Sequence, residues 1–100
     1  MHFEIRFTPT AAAHLRAYRK YEQKIVLDSV EAQLAHEPNV ESRHRKRLGE
    51  NEVSDWELRV GDYRVFYDVA VEDEPPVVKI KAVGHKIHNT LSIGGLEVEL

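Results

Sequence analysis

The stretch Trp56–Tyr67 reads WELRVGDYRVFY. Apolar residues alternate on both sides of Gly61-Asp62: Trp56, Leu58 and Val60 before it, Tyr63, Val65 and Tyr67 after it. A period of two marks half-buried strands. A Gly-Asp pair between such strands is two-residue hairpin chemistry, with the glycine supplying a positive φ. Folding the chain there sets Val60 opposite Tyr63, Arg59 opposite Arg64, Leu58 opposite Val65 and Trp56 opposite Tyr67. One face of the hairpin is then apolar. The other carries Asp55, Glu57, Arg59, Arg64, Phe66 and Asp68.

Upstream, residues 2–7 alternate again, with Phe3, Ile5 and Phe7 on one side, and form a strand. Thr8-Pro9 supplies an N-cap and a proline at the first helical position. Ala11, Ala12, Leu15 and Tyr18 extend a helical stripe to about Tyr21. A second helix is expected over residues 22–36, from Ile25, Val26, Val30 and Leu34 at spacings of three and four, with Pro38-Asn39 closing it. Residues 40–53 are polar and carry no clear period. Downstream, Tyr63 to Val69 and Val77 to Val83 read as strands. In the second, Val78, Ile80 and Ala82 are expected to face the core and Gly84 to end it. Gly94-Gly95, between Leu91-Ser92-Ile93 and Leu96-Glu97-Val98, suggests a small terminal hairpin.

The chain has 100 residues, one domain's worth, spanning 1–100. Its 42% hydrophobic content is that of a globular protein rather than a disordered one. The absence of cysteine excludes disulfides, a thiolate metal site and a cysteine nucleophile. No apolar run reaches the roughly 20 residues that span a bilayer, and the N-terminus lacks a signal-peptide core. The expected location is the cytoplasm. The net charge of −3 does not announce a nucleic-acid binder, but its distribution is uneven. Arg43–Arg47 reads RHRKR, while acids gather at 50–57 and 72–74.

Arg59 opposite Arg64 is the informative pair, because like charges across a sheet destabilise it by up to about 1 kcal/mol. Either Glu57 and Asp68 neutralise the arginines in a solvated ion-pair network, or the guanidinium forks grip a phosphate backbone or a partner's carboxylates. Phe66 on the same face is a stacking platform for a base or is covered by a neighbouring segment. Arg45, Lys46, Arg47, Lys79, Lys81 and His88 extend the candidate RNA-binding surface. His85 suits acid–base work, and Lys86 suits charge stabilisation on a phosphate. No third ligand stands at metal-site spacing beside the histidines, so neither a metal nor a cofactor is expected.

These pieces resemble the RelE/ParE superfamily of toxins from type II toxin–antitoxin systems. The resemblance rests on F-T-P-x-A near the start, R-L-G at 47–49, L-R-V-G-D-Y-R-V-F-Y at 58–67 and V-K-I-K-A-V-G-H-K at 78–86. It implies an α+β fold of order β-α-α-β-β-β, with two N-terminal helices packed on a twisted, mainly antiparallel sheet and a site on the open face. It also implies a cognate antitoxin partner and one of two targets. In the ribonuclease branch the toxin works on the ribosome without a metal, as an mRNA interferase: a 2′-hydroxyl attacks the adjacent phosphate to leave a cyclic phosphate. In the ParE branch the target is DNA gyrase. A degenerate toxin that only binds its antitoxin is the third possibility. By position, Arg64, Lys86 and His85 fall where catalytic groups sit, and Arg59 matches a basic residue on the adjacent strand. RelE itself has lysines where this chain has Asp55 and Glu57, and its C-terminal tyrosine falls near Ser92.

Overall fold

The structure is a computed structural model and describes residues 2–100. The elements run β1 (Glu4–Phe7), α1 (Pro9–Arg16), α2 (Lys20–Leu34), β2 (Arg45–Arg47), β3 (Trp56–Val60), β4 (Tyr63–Ala70), β5 (Val77–Ile87), β6 (Thr90–Ile93) and β7 (Leu96–Val98). The strands make one sheet in the order β2-β3-β4-β5-β6-β7, with β1 added parallel to the N-terminal half of β5 and every other pairing antiparallel. The α+β architecture expected from the sequence is therefore present, together with the suggested terminal hairpin, β6 and β7, and one further strand, β2.

The helices begin where local chemistry satisfies their free N–H groups. The Thr8 hydroxyl accepts from the Ala11 amide at 3.1 Å, and Pro9 follows it. The break between helices falls at residues 17–19, earlier than the stripe through Tyr18 suggested. Tyr18 lies in the turn, where Gln23 donates to its carbonyl. The Glu22 carboxylate, in turn, accepts from the Arg19 amide and so opens α2 at Lys20. Both helices pack on one sheet face. Val26, Val30 and Leu34 of α2 and Leu15 of α1 meet Leu58, Val65, Tyr67, Val78, Ile80 and Val83 in the main core. Tyr67 is fully buried and donates to the Pro38 carbonyl at 2.7 Å.

The hairpin register is as the alternation required: Val60 pairs with Tyr63, Arg59 with Arg64, Leu58 with Val65 and Trp56 with Tyr67. Gly61 sits at φ +57° in the turn. The 40–53 stretch contains a strand after all: Arg45–Arg47 pairs with Leu58–Trp56.

Two expectations about β5 are corrected. The strand does not end at Gly84 but runs to Ile87, and β6 pairs with its C-terminal part. A bulge opposite Phe66/Tyr67 also shifts the register. Phe66 pairs with Ala82 and Tyr67 with Ile80, so Lys81 is skipped. Val83, not Ala82, therefore enters the main core, and Ala82 joins the opposite face. The β6–β7 hairpin turns at Gly94-Gly95, with both glycines at positive φ, as the sequence suggested.

Candidate functional site

The sheet face away from the helices is not open along its whole length. Phe66 is fully buried there in a second apolar cluster with Ala82, Leu91 and Ile93, and Leu48, Val53 and Val98 pack against it. It is no stacking platform for a base. Strands β6 and β7, which carry much of this cover, give no periodic signal strong enough in sequence to place them over Phe66.

Beside this cluster the face opens into a cleft of about 410 Å³, lined by Lys46, Leu48, Glu57, Arg59, Lys86, Asn89, Leu91 and residues 98–100. Alternation explains the set. Lys46 stands opposite Glu57 on β2, Arg59 opposite Arg64 on β4, and Arg64 opposite Gly84 on β5, two residues before Lys86. Glu57 is buried between the two arginines: one carboxylate oxygen is 3.3 Å from Arg59 Nε, the other 3.8 Å from Arg64 Nε. Its charge offsets their cross-strand repulsion. Arg64 is held further by donating to the Gly61 and Tyr63 carbonyls at 2.7 and 2.9 Å. Arg59 keeps 45% of its side chain exposed. One guanidinium is thus fixed by the backbone and the other is free to reach a ligand.

The remaining basic residues scatter. Arg45 turns to the helix side, where it donates to the Val40 carbonyl and to the carbonyl and side-chain oxygen of Gln33, just before the C-terminus of α2. Arg47 lies with its guanidinium 5.6 Å from the Trp56 ring centre. The RHRKR run therefore contributes Lys46 alone to the cleft lining. Lys79 is exposed opposite Asp68, and Lys81 pairs with Asp68 at 3.8 Å. Lys81 also lines a separate groove of about 390 Å³ with Thr10 and His14. His88 occupies the β5–β6 turn at φ +51°.

His85 is also absent from the cleft lining. It pairs with Tyr63 on the helix side of the sheet, and its Nδ1 is 2.7 Å from the Tyr18 hydroxyl. A second pocket, of about 300 Å³, forms around it from Tyr18, Glu22, Asp62, Tyr63 and Ile87. There the Tyr63 hydroxyl donates to Glu22 at 2.6 Å. That bond pushes Tyr63 up to about 12 and holds the Glu22 carboxyl below its ordinary value, helped by the Arg19 amide. Nothing in the sequence marked Glu22 as part of such a pocket, because its side-chain partner Tyr63 lies 41 residues away. Among the described residues no three His, Asp or Glu side chains are grouped closely enough to hold a metal, and no helix is long and apolar enough to cross a membrane.

No curated protein matches the chain. A solved structure does, a chain of the toxin–antitoxin complex RelBE2 from Mycobacterium tuberculosis. It is 28% identical with a TM-score of 0.70, over 86% of this chain and all of that one. Residues 5–88 match the sequence model of the ParE toxin of type II toxin–antitoxin systems. That stretch runs from β1 through the hairpin and the whole of β5, and it makes this chain a member of the ParE toxin family of type II toxin–antitoxin systems.

Proposed function

We propose that this toxin is an mRNA endoribonuclease that works on the ribosome and is restrained by a cognate antitoxin encoded beside it. The observation that carries the reading is the convergence of Lys46, Arg59 and Lys86 on one cleft, with Arg64 braced behind Glu57. Although the chain is acidic overall, this cleft gathers Lys46, Arg59 and Lys86 beside two carboxylate side chains, Glu57 and Glu99. Such a site attracts a phosphodiester.

The chemistry that suits it is internal transfer. The ribose 2′-oxygen attacks the adjacent phosphorus, the bond to the 5′-oxygen breaks, and a cyclic phosphate and a 5′-hydroxyl result. Arg59 and Lys86 neutralise the charge that builds on the phosphoryl oxygens, while Arg64 positions Glu57. The 2′-hydroxyl proton needs an acceptor. His85 faces the other side of the sheet, so we assign that task to Glu57.

A second reading, inhibition of DNA gyrase, is favoured by that same placement of His85 and by the family's description. Induced expression with and without the neighbouring gene separates the two. New 5′-hydroxyl ends within translated messages support the ribonuclease. Growth arrest with intact messages and a DNA-damage response overturns it in favour of gyrase.

A further inference from the structure

The two pockets flanking the end of the hairpin have opposite character. The cleft on one face carries Lys46, Arg59 and Lys86 alongside Glu57 and Glu99. The pocket on the helix side is lined by two carboxylates, Glu22 and Asp62, two tyrosines and His85, with no lysine or arginine among its lining residues. Neither carboxylate forms an ion pair among the described residues. Each Glu22 oxygen accepts one hydrogen bond, from Tyr63 or from the Arg19 amide, and a carboxylate oxygen has room for a second. The Tyr18 ring meets those of Tyr63 and His85 edge-on, both at 5.7 Å between centres. The rim is apolar at Ile87, which is 54% exposed.

Aromatic walls with carboxylates beside them recognise a cation, and a planar one best. A guanidinium stacks on a tyrosine face while its N–H groups reach the carboxylate oxygens in a fork. An ammonium, compact and strongly hydrated, uses the walls poorly. The apolar rim gives footing to the chain that carries the cation.

We infer that the Tyr18–Glu22–Asp62–Tyr63–His85 pocket seats an arginine side chain of the antitoxin. The inference rests on the toxin reading for the identity of the partner only, since the pocket's chemistry stands without it. An antitoxin anchored here holds the toxin from the helix side, across the sheet from the cationic cleft.

Two measurements test it. In the first, the isolated toxin is titrated with N-acetylarginine amide, N-acetyllysine amide (the free ε-amine) and the neutral isostere N-acetylcitrulline amide, following the His85 and Tyr63 ring signals by NMR. Saturable shifts with the arginine compound, weaker ones with lysine, none with citrulline, and loss of the response in Asp62→Asn and in Glu22→Gln/Asp62→Asn are expected. Equal shifts with citrulline, or shifts that persist in the double variant, overturn the pocket. In the second, the affinity for the antitoxin encoded beside the toxin gene is compared between wild type and Asp62→Asn, which lies at an exposed turn and preserves the fold. A loss of about tenfold or more is expected. Unchanged affinity overturns the inference while leaving the toxin reading intact. Failure of the neighbouring protein to bind wild-type toxin overturns the toxin reading, and the titration then still decides the pocket.

Discussion

His85 and Lys86 are consecutive in sequence and serve opposite faces of the sheet: the histidine ring bonds to Tyr18 under the helices, and the lysine lines the cationic cleft. Lys86→Ala should therefore lower toxicity and RNA cleavage by about 10²–10³-fold, the scale for removing one preorganised charge stabiliser. His85→Ala should leave cleavage within a few-fold and reduce stability by about 1 kcal/mol, the net worth of one hydrogen bond. Cleavage assays on purified ribosome complexes, with urea melts of both variants, separate the two roles.

Glu57 is the carboxylate inside the cation cluster. Replacing it with Gln keeps the shape and removes the charge that engages Arg59 and Arg64. Single-stranded RNA should bind several-fold more tightly with a steeper salt dependence, since more cation is left for phosphate, while the cleavage rate falls. Tighter binding with an unchanged rate would remove Glu57 from the proton-transfer role. The measurement is RNA anisotropy across salt concentrations beside single-turnover cleavage.

Arg45 and Lys46 divide a basic run between two tasks. Arg45→Ala loses its donors to Gln33 and Val40 and should cost about 1.5–3 kcal/mol of stability, as for hydrogen bonds from a charged group. RNA affinity should not change. Lys46→Ala should do the reverse. Equilibrium unfolding and RNA binding on the pair provide the check.

The Tyr63–Glu22 bond predicts two pH windows. Glu22 has a lowered pKa in the fold, so its contribution is present above its unfolded value of 4.5 and is lost as pH falls through the lower folded value. Tyr63 is raised from 10.0 to about 12, so its contribution is complete below 10.0 and is lost as pH rises toward about 12. Tyr63→Phe should shrink both windows, leaving the Arg19 amide as the residual partner of Glu22 and the raised Tyr18 and Tyr67 as the residual alkaline groups. Melting temperature against pH for both proteins reads this directly.

Gly84 lets β6 approach β5. A Cβ there would lie 2.3 Å from the Ser92 carbonyl oxygen and 2.9 Å from an Ile93 side-chain carbon. Gly84→Ala should destabilise the protein by about 1–3 kcal/mol or more through overpacking against backbone and should expose Phe66. Urea midpoints and dye binding to the exposed apolar cluster test both effects.

What was legible in sequence was local and periodic. The hairpin register from Trp56 to Tyr67, the Thr8-Pro9 start and the Gly94-Gly95 turn each follow from neighbours a few residues apart, and each is present. The cleft was legible through Arg59, Arg64, Lys46 and Lys86. Arg45 and Arg47 were misplaced because face assignment in a three-residue strand depends on its pairing with β3, which no local pattern reveals. The choice between an open and a covered Phe66 is not legible in sequence, because its cover comes from residues 48, 53, 91, 93 and 98, distant along the chain. The spacing Val78, Ile80, Val83 did carry a trace of the bulge, a step of three where alternation requires two.

That extra residue acts as a parity bit. With uninterrupted alternation from Ile80, His85 would project into the cleft and Lys86 would turn under the helices. By leaving Lys81 uncounted, the strand inverts every side chain from Ala82 onward. The choice between an imidazole and an ammonium at the site is therefore encoded five residues upstream of the lysine, in the pairing of the strand rather than in its chemistry. A one-residue deletion at Lys81 therefore removes the bulge and leaves both side chains where they are, whereas drawing Lys81 into the regular ladder at unchanged length exchanges one for the other.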